Sequence, residues 1–360
     1  MNVTVAPLHS LSAGELAAWR EMQRADRSLA NPFMAPEFAL AVAAVKPQAR
    51  VAVLRSAGGS EPVGFLPFER GPLGLGRPIG AGVSDAQGVV HRPGASWDHE
   101  QLLAACGLAV LEFDHLVDGQ FGGSVRRQEP SPVIDLSDGF DAYVEHRREQ
   151  SRSFRRAMAR HQALERDFAG LRFEWHSSAP DAFAALTAWK SAQYRRTGRA
   201  DRFARPWIRE LAQRLMQTRA DGFRGVLATL RVDGRPIAVQ ACLASDSVLA
   251  LWFPAFDPAF ARYSPGNLLR LRLARAAAER GIGLLDFGKG WSAHKELLKT
   301  GELRVGEARI ERRGARAAVH RLYRDPPRTV ERFVLDHPRL RLAARRTLAG
   351  MGRARTRLAG

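Results

Sequence analysis

From Ser264 the sequence runs Ser-Pro-Gly-Asn, continues with apolar residues at helical spacing to Arg280, and then gives Gly281 and an apolar stretch over 282–287. That order admits little except a helix with proline in its first turn, stopped by glycine in a left-handed C-cap and followed at once by a buried strand. Ser264 is placed to cap the helix, and Gly266 leaves room for a ligand against the backbone. Free N–H groups and the helix dipole converge at such an opening, which makes it a seat for an anion. The strand ends at Asp286 in a Gly288-Lys289-Gly290 turn, and 293–298 reads as a short second helix. A polar cluster of Asp286, Lys289, His294 and Lys295 therefore follows the anion seat, an arrangement suited to transfer from a phosphate-bearing donor.

Upstream, apolar periodicity predicts strands over 3–8, 50–55, 62–68, 110–116 and 132–136, with helices over 12–24, 36–45 and 98–106. Residues 71–82, rich in Gly and Pro, read as a loop or broken strand, and 140–167 as one long arginine-rich helix. The plan then repeats: a strand at 172–176, helices at 181–195 and 207–218, three strands over 223–254, the helix at 267–280, the strand at 282–287 and a last strand at 303–311. This is a mixed α/β (α+β) layout around a central sheet. Beyond Arg313 the chain reads as basic and helical, broken at Pro326-Pro327 and Pro338.

A length of 360 residues fits two domains. No run approaches the ~18 apolar residues of a membrane span, and the N-terminal residues lack the pattern of a secretory leader. Cys106 and Cys242 sit among apolar neighbours without zinc spacing, so buried free thiols and a reducing, cytoplasmic setting are expected. No metal cluster, P-loop, nucleophile elbow or dinucleotide fingerprint occurs. The net charge is +18, of which residues 312–360 supply +11 and residues 146–166 supply +5. Basic segments on a nearly neutral body suit a polyanion or the anionic inner face of a membrane, and equally suit solvated helix faces.

Of the five lysines, Lys190, Lys289, Lys295 and Lys299 lie in the second half of a chain with fifty arginines. Lysine among so many arginines marks places where a compact ammonium that can lose its proton has a use. Lys295 is the first candidate for stabilising a developing oxyanion. Asp286, at the end of a buried strand, is a candidate for orienting Lys295 or accepting a proton, with a turn cap as the alternative. His294 is a candidate proton carrier. Lys190 and Tyr194 share a helix face at i,i+4 and, with Gln193, Asp257 and Lys289, are candidates for holding an acceptor.

The residues at these joints resemble a known family. Asn31-Pro32-Phe33, Pro36-Glu37-Phe38 and Ser84-Asp85-Ala86-Gln87-Gly88 lie in the first half. Trp189-Lys190-x-x-Gln193-Tyr194, Trp207, Phe253-x-x-Phe256-Asp257, Tyr263-Ser264-Pro265-Gly266, Asp286-Phe287-Gly288 and Lys295 lie in the second. Over residues 30–300 this pattern resembles the Fem/CelD-like (acetyltransferase 6, BioF2-like) branch of the GCN5-related N-acyltransferases (GNAT). The resemblance implies two tandem GNAT-like domains, each a central mixed sheet flanked by helices, expected at 1–137 and 138–312, with a basic helical tail at 313–360. It implies acetyl-CoA or another acyl-CoA as donor, seated at Tyr263, Ser264, Pro265, Gly266 and Asn267, and no metal. It implies an amine acceptor such as an amino sugar or an envelope or exopolysaccharide precursor. The Arg262-to-Asn267 loop departs from the usual Arg/Gln-x-x-Gly-x-Gly/Ala spacing, and His294 stands where Fem transferases place an aromatic residue. Two alternatives stay open: a Fem-like transferase using aminoacyl-tRNA, and a non-catalytic adaptor whose tail docks on a membrane-bound polysaccharide synthase.

Overall fold

Alternating strand and helix patterns produce a mixed α/β fold, seen in a computed structural model that describes residues 2–56 and 58–321. The first half contains β1 (Asn2–Ala6), α1 (Ala13–Ala25), α2 (Pro36–Val45), β2 (Ala49–Arg55), β3 (Pro62–Arg70), β4 (Leu75–Pro78), β5 (Val90–His91), α3 (His99–Ala105), β6 (Val110–Val117) and β7 (Val125–Asp135). The second begins with α4 (Gly139–Gln150), α5 (Arg152–Asp167), β8 (Arg172–Glu174), α6 (Pro180–Arg196), α7 (Pro206–Gln217) and β9 (Arg219–Ala220). It continues with β10 (Phe223–Val232), β11 (Arg235–Ala244), β12 (Val248–Phe256), α8 (Pro265–Ala278), β13 (Leu284–Asp286), α9 (Ala293–Leu298) and β14 (Gly301–Glu311). Residues 315–321 are helical. The rest of the expected basic tail, with its proline breaks, lies outside the described residues.

The strands join in one sheet of order β1-β2-β3-β4-β6-β14-β7-β13-β12-β11-β10-β8. Each half is an antiparallel meander ending in one parallel pair, β4 with β6 and β12 with β13. The halves exchange their last strands. β7, from the first half, pairs with β13, while β14, from the second, pairs with β6, and the two exchanged strands pair with each other. The largest apolar cluster also ignores the midpoint of the chain. Trp19, Phe33 and Phe38 pack in it with Phe203, Leu211, Trp252 and Phe253. The structure is two halves that share one sheet, with the largest apolar cluster spanning both.

Two expectations require correction. The single helix over 140–167 is two helices: Ser151 is extended (φ −133°, ψ 109°) and its hydroxyl accepts the Phe154 N–H at 3.1 Å. A serine able to cap a new helix competes with continuing the old one. Ser264 does not cap α8 with its side chain. It adopts the left-handed region (φ 54°), and its hydroxyl instead accepts from Arg160 at 3.4 Å.

Candidate active site

The parallel pair of β12 and β13 opens the site. They pair only from Val248 with Leu284 to Ala250 with Asp286, after which β12 continues to Phe256 while the other chain turns away. A bulge in β12 opposite Ala241 and Cys242 turns Trp252 toward the first half, where its indole N–H donates to the Val83 carbonyl at 2.7 Å. α8 starts over the gap. The result is a cleft of about 400 Å³ bounded by Gln240, Phe256, Gly266, Asn267, Gln193 and His294.

The cleft is strongly cationic. Arg270, one turn into α8, lines it and is buried, with no carboxylate partner among the described residues. Its Nη1 donates to Asn267 Oδ1 at 3.2 Å, and its Nε has no partner. Burial pulls this guanidinium down to about 10. Lys190 is buried on α6, donates to Gln193 Oε1 at 3.0 Å and lies over the Tyr194 ring. Burial, then Arg270, Arg199 and Arg202, lower it to about 8. Burial, Arg270, Lys295 and Lys190 hold His294 down at about 3. A neutral imidazole with so low a pKa donates or accepts a hydrogen bond but makes a poor proton carrier.

Beside the cleft, the Gly288-Lys289-Gly290 turn wraps the Lys295 ammonium, which donates to the Gly288 carbonyl at 2.6 Å and the Lys289 carbonyl at 3.0 Å. Burial lowers the Lys295 pKa, Asp85 and Asp286 oppose the shift, and Arg270 adds to it. Asp286 makes no hydrogen bond to Lys295, which corrects the idea that it orients the lysine directly. One oxygen accepts from Ser131 at 2.6 Å and the Gly288 N–H at 2.9 Å, the other from Asn31 at 2.8 Å. Asp286 thus fixes the turn that fixes the lysine, and it ties Asn31 and β7 to the second half. Burial raises its pKa, against the hydrogen bond from Ser131.

Other expected residues lie elsewhere. Lys289 points away from the cleft, donating to the Asp114 carbonyl at 2.7 Å and to Glu307 at 3.1 Å. Asp257 caps the turn after β12 by accepting the Ala259 N–H at 2.9 Å. Tyr263 is buried, its hydroxyl donating to Asp167 at 2.8 Å and its ring packed on Phe168, so it braces the loop rather than facing a ligand. Pro265 is buried in the first turn of α8.

The structure adds residues that the site candidates omitted. Asp85, on the loop before β5, packs against the Gly288 turn. A Cβ at Gly288 (φ 71°) would lie 2.9 Å from its Oδ2, so only glycine fits there. Asp85 Oδ1 lies 3.6 Å from His115 Nε2, and His115 Nδ1 lies 3.2 Å from Asp114 Oδ1. Burial raises Asp85 to about 6, despite the opposing charges of His115 and Lys295. Burial would raise Asp114 too, but the neighbouring His115 and the hydrogen bond from Gln87 outweigh it and hold the acid at about 2. The motif Ser84-Asp85-Ala86-Gln87-Gly88 is visible in the sequence. Its proximity to Lys295 is a property of the fold.

Among the described residues no helix is long and apolar enough to cross a membrane. The family model described as "Acetyltransferase (GNAT) domain", Acetyltransf_6, matches residues 150–296. Comparison with curated proteins gives no match. Among solved structures, FemX is similar over 90% of this chain and 100% of that one, at 11% identity and a TM-score of 0.58. The C-terminal domain (DUF2156) of a putative lysylphosphatidylglycerol synthetase from Agrobacterium fabrum is similar over 86% and 95%, at 13% identity and a TM-score of 0.53. A conserved protein of unknown function from Bacteroides thetaiotaomicron is similar over 82% and 97%, at 11% identity and a TM-score of 0.51. At such identities these likenesses concern the fold. The matched segment, residues 150–296, contains the open splay of β12 and β13 and is similar to the GNAT acetyltransferase domain, in a fold similar to that of FemX.

Proposed function

We propose that the protein is an N-acyltransferase that takes its acyl group from acyl-CoA. The observation that carries this reading is Arg270, a buried guanidinium without an acidic partner at the mouth of α8. A cation so placed awaits an anion, and the diphosphate of coenzyme A supplies one at the start of α8. Ser264, Gly266 and Asn267 border that seat. The thioester then reaches between the parted strands toward Lys295, whose ammonium would stabilise the oxyanion as the amine adds to the carbonyl. The new C–N bond forms, the C–S bond breaks and coenzyme A leaves as thiolate. Asp85 accepts the proton from the amine, with His115 and Asp114 behind it, and Lys190, Gln193 and Tyr194 face the acceptor. The resemblance favours an amino sugar or another envelope or exopolysaccharide precursor as that acceptor, with the basic tail as a peripheral contact to an anionic membrane or a synthase.

Calorimetry with acetyl-CoA, a longer acyl-CoA and a charged tRNA tests the donor. Acyl-CoA should bind, Arg270→Met should weaken it by about 10-fold or more, and Lys295→Ala should still bind it while losing transfer by about 100-fold. Binding of charged tRNA in its place would move the assignment to the Fem-type donor. Absence of binding by every donor would overturn the enzyme reading.

A further inference from the structure

A second opening lies on the face of α8 turned away from the cleft. It is a half-open groove of about 290 Å³ between α4, α5 and α8. Phe140, Val144, Met158, Leu268 and Leu271 form its apolar wall. Arginines follow these one turn later: Arg148 after Val144, Arg272 after Leu268 and Arg275 after Leu271. Spacing of i,i+4 puts each pair on one helix face, so an apolar wall is edged by cations. Arg272 pairs with Glu165 and Arg275 lies 3.9 Å from Asp141, while Arg148 has no carboxylate partner among the described residues.

His161, on α5, also lines this groove. It is 2% exposed, and neither ring nitrogen has a hydrogen-bond partner. Burial, with Arg160 and Arg272 nearby, lowers it to about 4, so the ring is neutral and carries one N–H donor and one acceptor. Buried polar atoms are rarely left unpaired, because they have lost water and gained nothing. Three arginines against Asp141 and Glu165 leave the lining a single net positive charge, which matches a monoanion better than a phosphate dianion.

We propose that this groove binds a fatty carboxylate, its chain against the apolar wall and its carboxylate accepting the His161 N–H beside the arginine edge. Calorimetry on the full-length chain, with decanoate as probe and decanol as its uncharged counterpart, tests this. Decanoate should bind saturably and shift the His161 ring resonances. Decanol should bind about 10-fold more weakly, and His161→Phe should cost decanoate a similar factor. Met158→Trp, which fills the wall from α5, should abolish binding and serves should the first variant fail to fold. The proposal is overturned by no saturable binding up to about 1 mM, by equal affinity for decanol, or by undiminished binding to a folded His161→Phe or Met158→Trp protein.

Discussion

As the proposed proton acceptor, Asp85 would favour function at the expense of stability. Its side chain is 26% exposed, and its folded pKa is raised from 3.8 to about 6. Between those two values the native state holds more protons than the unfolded chain, so stability falls as pH rises through the window. Activity should move the other way, since only the ionised form accepts a proton: kcat/KM should climb as pH passes about 6. Asp85→Asn should abolish that limb of the pH–rate profile and melt at a higher temperature than the wild type at pH 7. The two melting temperatures should converge below about pH 4. A variant with an unchanged profile would remove Asp85 from the proton path. Gly266 and Asn267, which line the cleft, and Lys295 beside it stand out in the sequence as candidates because unusual residue types stand at joints between elements. Arg270 was invisible, being one arginine among fifty, and only burial without a partner singles it out. Lys289 misled for a related reason: closeness in sequence to Lys295 says nothing of direction, and in a tight turn neighbouring side chains diverge.

Elements with strong local signals were read well, and those decided by a single residue were not. α1 begins at a full capping box, in which Ser12 and Glu15 bond each other's backbone N–H groups, and Glu15 also pairs with Arg55 of β2. Ser12→Ala should cost about 1 kcal/mol and lower the melting temperature by about 2 °C, measurable by calorimetry, with donor binding unaffected. The break between α4 and α5 escaped because arginines lie on both sides of it and charge carries no period. Ser151 is the sole local sign, and a lone serine inside a basic helix is as often solvated as capping. α8 was read from its Pro and Gly punctuation. Its entry differs because the loop before it tucks Tyr263 inward, leaving Ser264 in the left-handed region and unable to cap.

At the scale of the whole molecule, repetition of the strand-and-helix plan revealed the two halves but not how they are joined. Strand periodicity reports which face is buried and carries no address for a partner, so the exchange of β7 and β14 had no signature. The shared core gives a direct expectation. Residues 1–137 and 138–360 produced separately should each lack a cooperative thermal transition, whereas producing them together should restore one, as read by calorimetry and size exclusion. Independent transitions in the separate pieces would show that the cluster joining Trp19 and Phe38 to Phe203 and Phe253 is dispensable. The exchange also sets a timetable for synthesis. β6 waits for a neighbour that ends at residue 311, and ribosomes add roughly 5–20 residues per second. For some tens of seconds, then, the emerging polypeptide holds an unclosed edge that its own later translation must seal, and the nascent chain is most exposed to chaperones and to aggregation during that interval.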